Sequence, residues 1–204
     1  MDFELINSPA FGDTLYDTII KEWLNNRTLI INQEINDDVL EMYVMQILKW
    51  NQEDINIPVE KRVPIKLIIN SVGGSLIDGM ALIDMINLSK TKVIGVGVGL
   101  VASAAFYIFL ACKERVAFLN TTFLMHDGEV SFSQTSSKSR DTMAYFDTID
   151  QRVKDLVLSR STFTEEFYDE HYHKELYMFP DEMKKYGCVD KIVGEDVDID
   201  YILS

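Results

Sequence analysis

The chain has 204 residues, a length that fits one globular domain with elaborations. Apolar residues make up 47% of it and charged residues 25%, the usual mixture of a folded protein, which argues against a disordered or disulfide-stapled chain. Acidic residues outnumber basic ones by 33 to 19, which gives a formal charge of -14. A surface this negative repels phosphate backbones and anionic lipids, so we expect neither nucleic acid nor a membrane as a partner.

The two cysteines, Cys112 and Cys188, are too few for a disulfide framework or a zinc cluster, and they indicate a reducing compartment. Near the start, Asp2 and Glu4 are present and no basic group precedes an apolar stretch, so no secretory signal is expected.

The first predicted elements are a helix and a strand. Apolar residues recur at helical spacing over 40–48, directly after two aspartates, and this predicts a helix that ends before Pro58. Residues 63–70 are β-rich and are followed by Gly73 and Gly74. They predict a buried strand that ends in a tight turn.

The next elements repeat this alternation. Apolar residues over 76–86 have helical spacing, and 92–98 returns to strand character. A strand, a helix and a strand in this order imply a parallel sheet with right-handed crossovers, so we predict an α/β fold in a single domain.

A charge-free run of 20 residues lies between Lys92 and Lys113, and this is the length of a membrane-spanning helix. Its first half, however, contains three glycines and several β-branched residues, which favours a strand buried on both faces. Its second half, 101–112, predicts a buried helix. We therefore interpret the run as core rather than as a membrane span.

Residues beyond this run predict two short strands and a long helix. The strands are expected at 115–118 and 122–125, on either side of a turn. Residues 131–139 are polar and predict a loop or an exposed hairpin. Apolar residues over 143–157 then recur at helical spacing, and the resulting stripe fits either the protein's own core or a partner.

Three short motifs follow predicted strands, where open α/β sheets gather functional groups. They are Asn-Ser-Val-Gly-Gly-Ser at 70–75, Gly-Leu-Val-Ala-Ser-Ala-Ala at 99–105 and Phe-Leu-Met-His-Asp-Gly at 123–128. Ser103 lies at a strand-to-helix junction between small residues, where a helix N-terminus favours developing negative charge. The glycine pair offers backbone N–H groups to an oxyanion, and His126 offers a base that titrates near neutrality.

Each motif also has a simpler interpretation. A serine at a helix start is often only a cap, and a glycine pair is often only a turn. Gly97-x-Gly99-x-x-Ala102 matches a dinucleotide fingerprint, but the next predicted strand supplies no acid for a ribose. His171 and His173 would lie on one face of a strand and suggest a metal site with Glu175, yet without a second cluster exposed polar residues are the better interpretation.

Taken together, the three motifs resemble those of the ClpP family, the proteolytic subunit of the Clp protease, over about residues 24–193. The serine stands 29 positions after the second glycine, a Met-His pair follows, and 177–190 resembles the family's closing segment. The residues around Ser103 and His126 are closest to those of phage- and prophage-associated members.

The resemblance implies a ClpP/crotonase-like αβ spiral fold. It implies a divergent N-terminal segment at 1–23, a single peptidase domain at 24–204 and a protruding handle, a helix plus a strand, at about 129–160. It also implies that no cofactor and no metal is needed.

The family's site residues can be carried over by position. Ser103 corresponds to the nucleophile and His126 to the general base, and the N–H groups of Gly74 and Ala104 correspond to the oxyanion hole. The third member of the triad is an aspartate in the family, and here that position is Glu175. Asp127 ranks behind it because a residue adjacent to the histidine hardly reaches the far ring nitrogen.

The sequence departs from the family at several positions. Val72 replaces a proline, which removes a fixed φ from the turn before Gly74. The spacing from Ser103 to His126 is shorter than usual, and we place the shortening at 113–115. Lys174 replaces an arginine that pairs between rings and His173 replaces an acid, so contacts between rings are expected to differ.

The implied function is that of a serine endopeptidase that hydrolyses unfolded polypeptides inside a ring-shaped chamber in the cytoplasm. The implied assembly is a homo-oligomer of heptameric rings stacked as a tetradecamer, served by an AAA+ unfoldase of the ClpX, ClpA or ClpC type, and the chain itself has no Gly-x-x-x-x-Gly-Lys motif for ATP. Two alternatives stay open: a crotonase-fold acyl-CoA enzyme and a catalytically impaired assembly subunit.

Overall fold

The computed structural model describes residues 15–129, 133 and 135–203. Helices and strands alternate along most of this chain, as the sequence predicts. The helices are α1 Leu15–Asn25, α2 Met45–Glu53, α3 Leu76–Leu88, α4 Ala104–Ala111, α5 Ser136–Arg160, α6 Glu165–His171, α7 Pro180–Lys185 and α8 Asp200–Leu203. The strands are β1 Thr28–Ile31, β2 Ile65–Ser71, β3 Val93–Ala102, β4 Glu114–Phe118, β5 Thr122–Met125, β6 Leu176–Met178 and β7 Lys191–Val193. A π-helical turn, Leu40–Val44, leads into α2, and Val59–Lys61 forms a 3-10 turn.

Within the described residues these strands form one sheet in the order β1-β2-β3-β4-β7. All neighbours on this path are parallel, and β5 is parallel to β3, whereas β6 runs antiparallel to β5. Parallel strands need crossover connections, and helices such as α3 and α4 provide them. The predicted α/β fold with a parallel sheet is therefore confirmed.

Strand β3 changes its neighbour part-way along its length. Its residues Ile94–Gly97 pair with β4, and Leu100–Ala102 pair with β5. Ser103, which follows β3, and His126, which follows β5, are therefore brought to the same edge of the sheet. The carboxyl ends of parallel strands are where such folds gather functional groups.

The charge-free run forms a buried strand and a buried helix. All eight residues of α4 are buried between the sheet and its neighbours α3 and α5. At Gly95 a Cβ would lie 3.0 Å from the Cys112 sulfur, so the glycine allows α4 to pack closely on β3. Residues 101 and 102 were expected in the helix but belong to β3, because their ladder with β5 continues the strand. No helix in the described ranges has the length and hydropathy to cross a membrane.

Two other predicted elements differ in detail. The apolar stripe before Pro58 is only half used, since Tyr43 and Ile47 are buried while Leu40 and Leu48 are exposed. Helix α5 begins at Ser136, so part of the predicted polar loop is helical. Residues 130–132 and 134 lie outside the described residues.

The dinucleotide interpretation fails on local geometry. That motif needs its glycines in a turn between a strand and a helix. Gly97 and Gly99 instead lie inside β3, and the helix begins only after Ser103.

Candidate active site

Ser103 is the single residue between β3 and α4. Its backbone has φ 54° and ψ -128°, a conformation that residues with a Cβ rarely adopt. Its N–H donates to the Leu124 carbonyl at 2.9 Å, which ties the serine to β5. The serine occupies the N-cap position of α4, but its hydroxyl makes no capping hydrogen bond. By contrast, the Ser75 hydroxyl caps α3 by accepting from the N–H of Asp78 at 3.3 Å. The capping explanation therefore fits Ser75 and not Ser103.

The glycine pair packs directly against this serine. A Cβ at Gly73 would lie 2.7 Å from both the Ala102 oxygen and the Ser103 Cβ, so only glycine fits. The N–H of Gly73 donates to the Ser71 hydroxyl at 3.1 Å, and its carbonyl accepts from Ile35 at 2.8 Å.

The N–H of Gly74 takes no part in the backbone hydrogen bonds of this turn. The bridge between Ile35 and Gly74 uses the N–H groups of Ile35 and Ser75. Gly74 has φ 141°, a value that the glycine permits. The Gly74 N–H thus follows directly after the glycine that packs against Ser103, and its place in an oxyanion hole stays a prediction. Ala104 follows Ser103 as the first residue of α4, and the first N–H groups of a helix have no partner inside it.

His126 is the first residue after β5, with 29% of its side chain exposed. Its Nδ1 lies 3.8 Å from the Glu175 Oε1, which is an ion-pair distance but too long for a hydrogen bond. This arrangement leaves Nε2 as the ring nitrogen that does not face Glu175. No hydrogen bond joins the Ser103 hydroxyl to this ring among the described residues, and such contacts are often long in a free enzyme.

Glu175 precedes β6, and 60% of its side chain is exposed. Its other oxygen, Oε2, accepts a hydrogen bond of 2.8 Å from the Tyr177 hydroxyl. This bond to a carboxylate raises the pKa of Tyr177 above its ordinary value. Tyr177 therefore holds one oxygen of Glu175 while the other faces His126.

Asp127 points to a different partner. Its carboxylate lies 2.9 Å from the Nδ1 of His173, and its N–H donates to the Tyr172 carbonyl at 2.7 Å. The structure thus pairs Asp127 with His173 and leaves Glu175 as the acid that faces Nδ1 of His126.

The metal interpretation finds no support in the geometry. His171 ends α6, where its Nδ1 lies 2.8 Å from the Phe167 carbonyl oxygen, and His173 lies in the following turn. The metal alternative needed the two histidines on one face of a strand, and this segment is instead a helix end followed by a turn. Over the ranges that the structure describes, no three His, Cys, Asp or Glu side chains are placed to hold a metal ion.

A shallow cleft of about 250 Å³ opens beside these side chains. Residues of two segments line it: His126, Asp127, Gly128, Glu129, His173, Lys174 and Glu175. One segment follows β5 and the other precedes β6, so the antiparallel pairing of these two strands brings the segments together.

The structure also describes the positions at which the sequence departs from the family pattern. Val72 is 63% exposed at the surface of the glycine turn. Lys113 and Cys112 alone connect α4 to β4, a short link at the position where we placed the shortening. The Lys174 Nζ lies 3.7 Å from the Glu170 carboxylate, one helical turn earlier.

Sequence reasoning missed two tyrosines that touch the candidate triad. Tyr107 donates from its hydroxyl to the His126 carbonyl at 3.1 Å, and Tyr177 donates to Glu175. Tyr107 was treated as part of an apolar helix, and its position four residues after Ser103 was the available signal. Tyr177 was noted only as part of the closing segment, although it stands two residues after Glu175.

A model of the Clp protease family matches residues 12–196. The chain belongs to the Clp protease family. Its curated relatives include the ATP-dependent Clp protease proteolytic subunit 2 of Borreliella burgdorferi, 30% identical over 93% of this chain and 94% of the relative. Proteolytic subunit 1 of Bacillus cereus is 29% identical over 93% and 95%. A solved structure, a point mutant of ClpP1 from Listeria monocytogenes, superposes with a TM-score of 0.74 at 25% identity, over 89% of this chain and 98% of the other.

This membership confirms the resemblance to ClpP and the ClpP fold. The chain is a peptidase of the Clp type, and the alternative functions are not favoured. Members of this family form ring oligomers and work with Clp ATPases.

Proposed function

We propose that the protein is a serine endopeptidase that cleaves unfolded polypeptides with Ser103 as its nucleophile. One observation carries the proposal: Ser103 has a strained backbone between the glycine turn and His126, and its hydroxyl does not serve as a helix cap. Strain of this kind, observed at a candidate nucleophile, is a recognised device for exposing a serine hydroxyl at a strand-to-helix turn.

The mechanism needs no cofactor or metal. His126 takes the proton of the Ser103 hydroxyl as that oxygen attacks the peptide carbonyl. The N–H groups of Gly74 and Ala104 stabilise the tetrahedral oxyanion. His126 then gives the proton to the leaving amine, and water hydrolyses the acyl-enzyme by the same steps in reverse. Glu175 stabilises the imidazolium through Nδ1.

The assembly proposed is a pair of heptameric rings stacked as a tetradecamer around the active sites. The pattern of buried and exposed residues along helix α5 supports its assignment to the handle through which the rings meet. Its fully buried residues, Ile149, Val153 and Val157, all lie in its C-terminal half. Its N-terminal half exposes Met143 and Tyr145, at 46% and 52%. A helix of 25 residues is about 37 Å long, so this apolar end extends beyond the core that holds the rest.

The proposed compartment is the cytoplasm. The proposed partner is an AAA+ unfoldase, which delivers unfolded polypeptide to the chamber. The relatives named above are subunits of ATP-dependent proteases, which supports a partner that hydrolyses ATP. The division into a divergent segment at 1–23 and a peptidase domain at 24–204, with its handle at 129–160, remains part of the same proposal.

Labelling with a fluorophosphonate, followed by a peptide-hydrolysis assay, tests the function. The purified oligomer should be labelled at Ser103 alone, and Ser103→Ala should abolish labelling and lower turnover by about six orders of magnitude. Hydrolysis that survives this change in a clean preparation would contradict the mechanism. An unlabelled wild-type chain would instead favour an impaired assembly subunit. Turnover of an acyl-CoA thioester without labelling would favour the crotonase-fold alternative.

A further inference from the structure

His126 lies just beyond the end of its strand, so the β5 ladder does not fix it. The ladder between β5 and β6 ends with Met125 opposite Leu176. On either side of His126 the backbone is bonded, since the Leu124 carbonyl accepts from Ser103 and the Asp127 N–H donates to Tyr172. The donor that reaches the peptide carbonyl of His126 itself is the Tyr107 hydroxyl, at 3.1 Å.

Tyr107 belongs to the helix that carries the nucleophile. It lies one turn after Ser103, and its N–H donates to the Ser103 carbonyl at 3.3 Å. The same residue therefore bonds to the backbone of Ser103 through its amide and to the backbone of His126 through its hydroxyl. A rigid aromatic ring between these two bonds sets the separation of the two backbones.

The surroundings of Tyr107 keep its ring in place. Its side chain is buried, with 3% of the residue exposed, inside a helix that is buried on all sides. Burial raises the pKa of Tyr107 well above its ordinary value, so the hydroxyl stays protonated and remains a donor at every pH at which a histidine base works.

We propose that Tyr107 is a positioning residue for this peptidase, whose hydroxyl holds the carbonyl of His126 so that the imidazole meets the Ser103 hydroxyl. The proposal rests on the proposed function, because it assigns a role only if Ser103 and His126 react as nucleophile and base. Tyr107 does not touch the substrate. Its contribution is to the geometry of proton transfer, and displacements of about 1 Å in such geometry lower rates by up to about 100-fold.

The test is Tyr107→Phe, which removes one oxygen and keeps the ring. With a fluorogenic peptide, kcat should fall about tenfold while KM stays within about twofold, because substrate contacts are unchanged. Fluorophosphonate labelling of Ser103 should slow by a similar factor. Native mass measurements should show the same oligomer as the wild type, so that a loss of assembly is not mistaken for a loss of positioning.

Tyr168→Phe is the matched control. The Tyr168 hydroxyl is also buried, and it makes no hydrogen bond of ordinary geometry with another described residue, although it interacts with the side chain of Tyr172. Both variants lose one buried phenolic oxygen, so a loss of packing would affect them alike. We expect Tyr168→Phe to keep the wild-type kcat. An equal loss of kcat in both variants, or an unchanged kcat in Tyr107→Phe, would overturn the proposal.

A second variant covers the case in which Tyr107→Phe does not fold. Tyr107→4-aminophenylalanine keeps the ring and an N–H donor at the same place. It should fold and retain at least about a third of the wild-type kcat, since an amine N–H donates more weakly than a hydroxyl. A folded variant with a kcat more than about tenfold below the wild type would contradict the proposal. If the wild-type chain is not labelled at Ser103, the proposed function fails first and this inference fails with it. Labelling without an effect of Tyr107→Phe overturns the inference alone.

Discussion

Ser103 combines a positive φ with a Cβ, and this combination has a consequence for stability. Backbones in such regions cost about 1–3 kcal/mol unless the residue is glycine. The surrounding structure holds the conformation through the N–H bond to Leu124 and through the contact with Gly73. The protein therefore gives up some stability to present a hydroxyl at the end of β3.

Ser103→Gly should be more stable than Ser103→Ala. Both variants lose the hydroxyl, but only glycine relieves the positive φ, and the extra flexibility of unfolded glycine offsets about 0.5–1 kcal/mol of the gain. We expect a difference of about 1 kcal/mol in the free energy of unfolding, measured by denaturant titration of the two variants. Equal stabilities would limit the strain to the roughly 0.5–1 kcal/mol that the flexibility of unfolded glycine offsets, and a less stable Ser103→Gly would show an unstrained backbone.

Glu175 and Asp127 offer a direct comparison of two neighbouring acids. Glu175 faces His126, whereas Asp127 pairs with His173. Glu175→Gln should lower kcat about 100-fold, less than the roughly ten-thousand-fold loss known where the acid is buried against the histidine. Asp127→Asn should leave kcat within about threefold. A larger loss for Asp127→Asn in steady-state peptide hydrolysis would make Asp127 the orienting acid.

At the scale of elements, the turn between β2 and α3 determines whether the oxyanion donor is in place. A Cβ at Gly74 would lie 2.3 Å from the Ile35 oxygen, at a φ of 141°. Gly79, in the following helix, has ordinary contacts, with its nearest neighbour, the Ala104 Cβ, at 3.6 Å. These two glycines form a matched pair, because one is required by close backbone approach and the other is not.

Gly74→Ala should lower kcat at least about 100-fold by displacing the oxyanion donor. Gly79→Ala should leave kcat unchanged and raise stability by about 0.5–1 kcal/mol, because alanine favours the helix. Thermal unfolding and peptide hydrolysis of both variants measure this. Comparable activity in the two variants would remove Gly74 from the site.

Helix α8 packs on β3 and β4 through the apolar Ile202, and its Tyr201 joins a charged cluster beside this contact. Glu114 on β4 is buried and accepts hydrogen bonds from Lys92, Lys191 and the Tyr201 hydroxyl, and the Lys191 ammonium lies 4.0 Å from the centre of the Tyr201 ring. Burial alone would raise the pKa of Glu114, but the bonds from Lys92, Tyr201 and Lys191 outweigh it and lower the pKa from 4.5 to about 2.

A carboxyl group whose pKa is lower in the folded than in the unfolded state stabilises the protein at pH values above its unfolded pKa. This stabilisation is lost as the pH falls through the folded pKa. The contribution of Glu114, about 3 kcal/mol, should therefore be complete above about pH 4.5 and disappear towards pH 2. Glu114→Gln should lower the unfolding temperature clearly at pH 7 and much less at pH 3. The exposed Glu60, changed to Gln, is the control. A pH-independent difference between Glu114→Gln and the wild type would contradict this account.

The fold was predictable from sequence because its signals are periodic and local. The charge-free run had to be core, so β3 and α4 followed from it, and with them the junction at Ser103. The 3.8 Å gap between His126 and Glu175, and the bonds from Tyr107 and Tyr177, depend on tertiary distances that no spacing encodes. The same holds for Ser75 and Ser103, two serines at helix starts of which only one is a cap.

At the scale of the whole molecule, the net charge is expected to oppose assembly. Each chain carries a formal charge of -14, and a ring brings several such chains together. Repulsion between the chains opposes association at low ionic strength. The apolar contacts expected to hold a ring are insensitive to salt at concentrations up to about 0.1 M. Added salt should therefore favour the assembled state.

Sedimentation at fixed protein concentration tests this expectation. Raising NaCl from 0.01 M to 0.1 M shortens the screening length from about 30 Å to about 10 Å and should shift the distribution towards the larger particle. Sucrose at matched osmolality is the control, because it leaves the screening length unchanged. Dissociation on adding salt would show instead that ion pairs between subunits, rather than apolar surfaces such as the exposed end of α5, hold the assembly together.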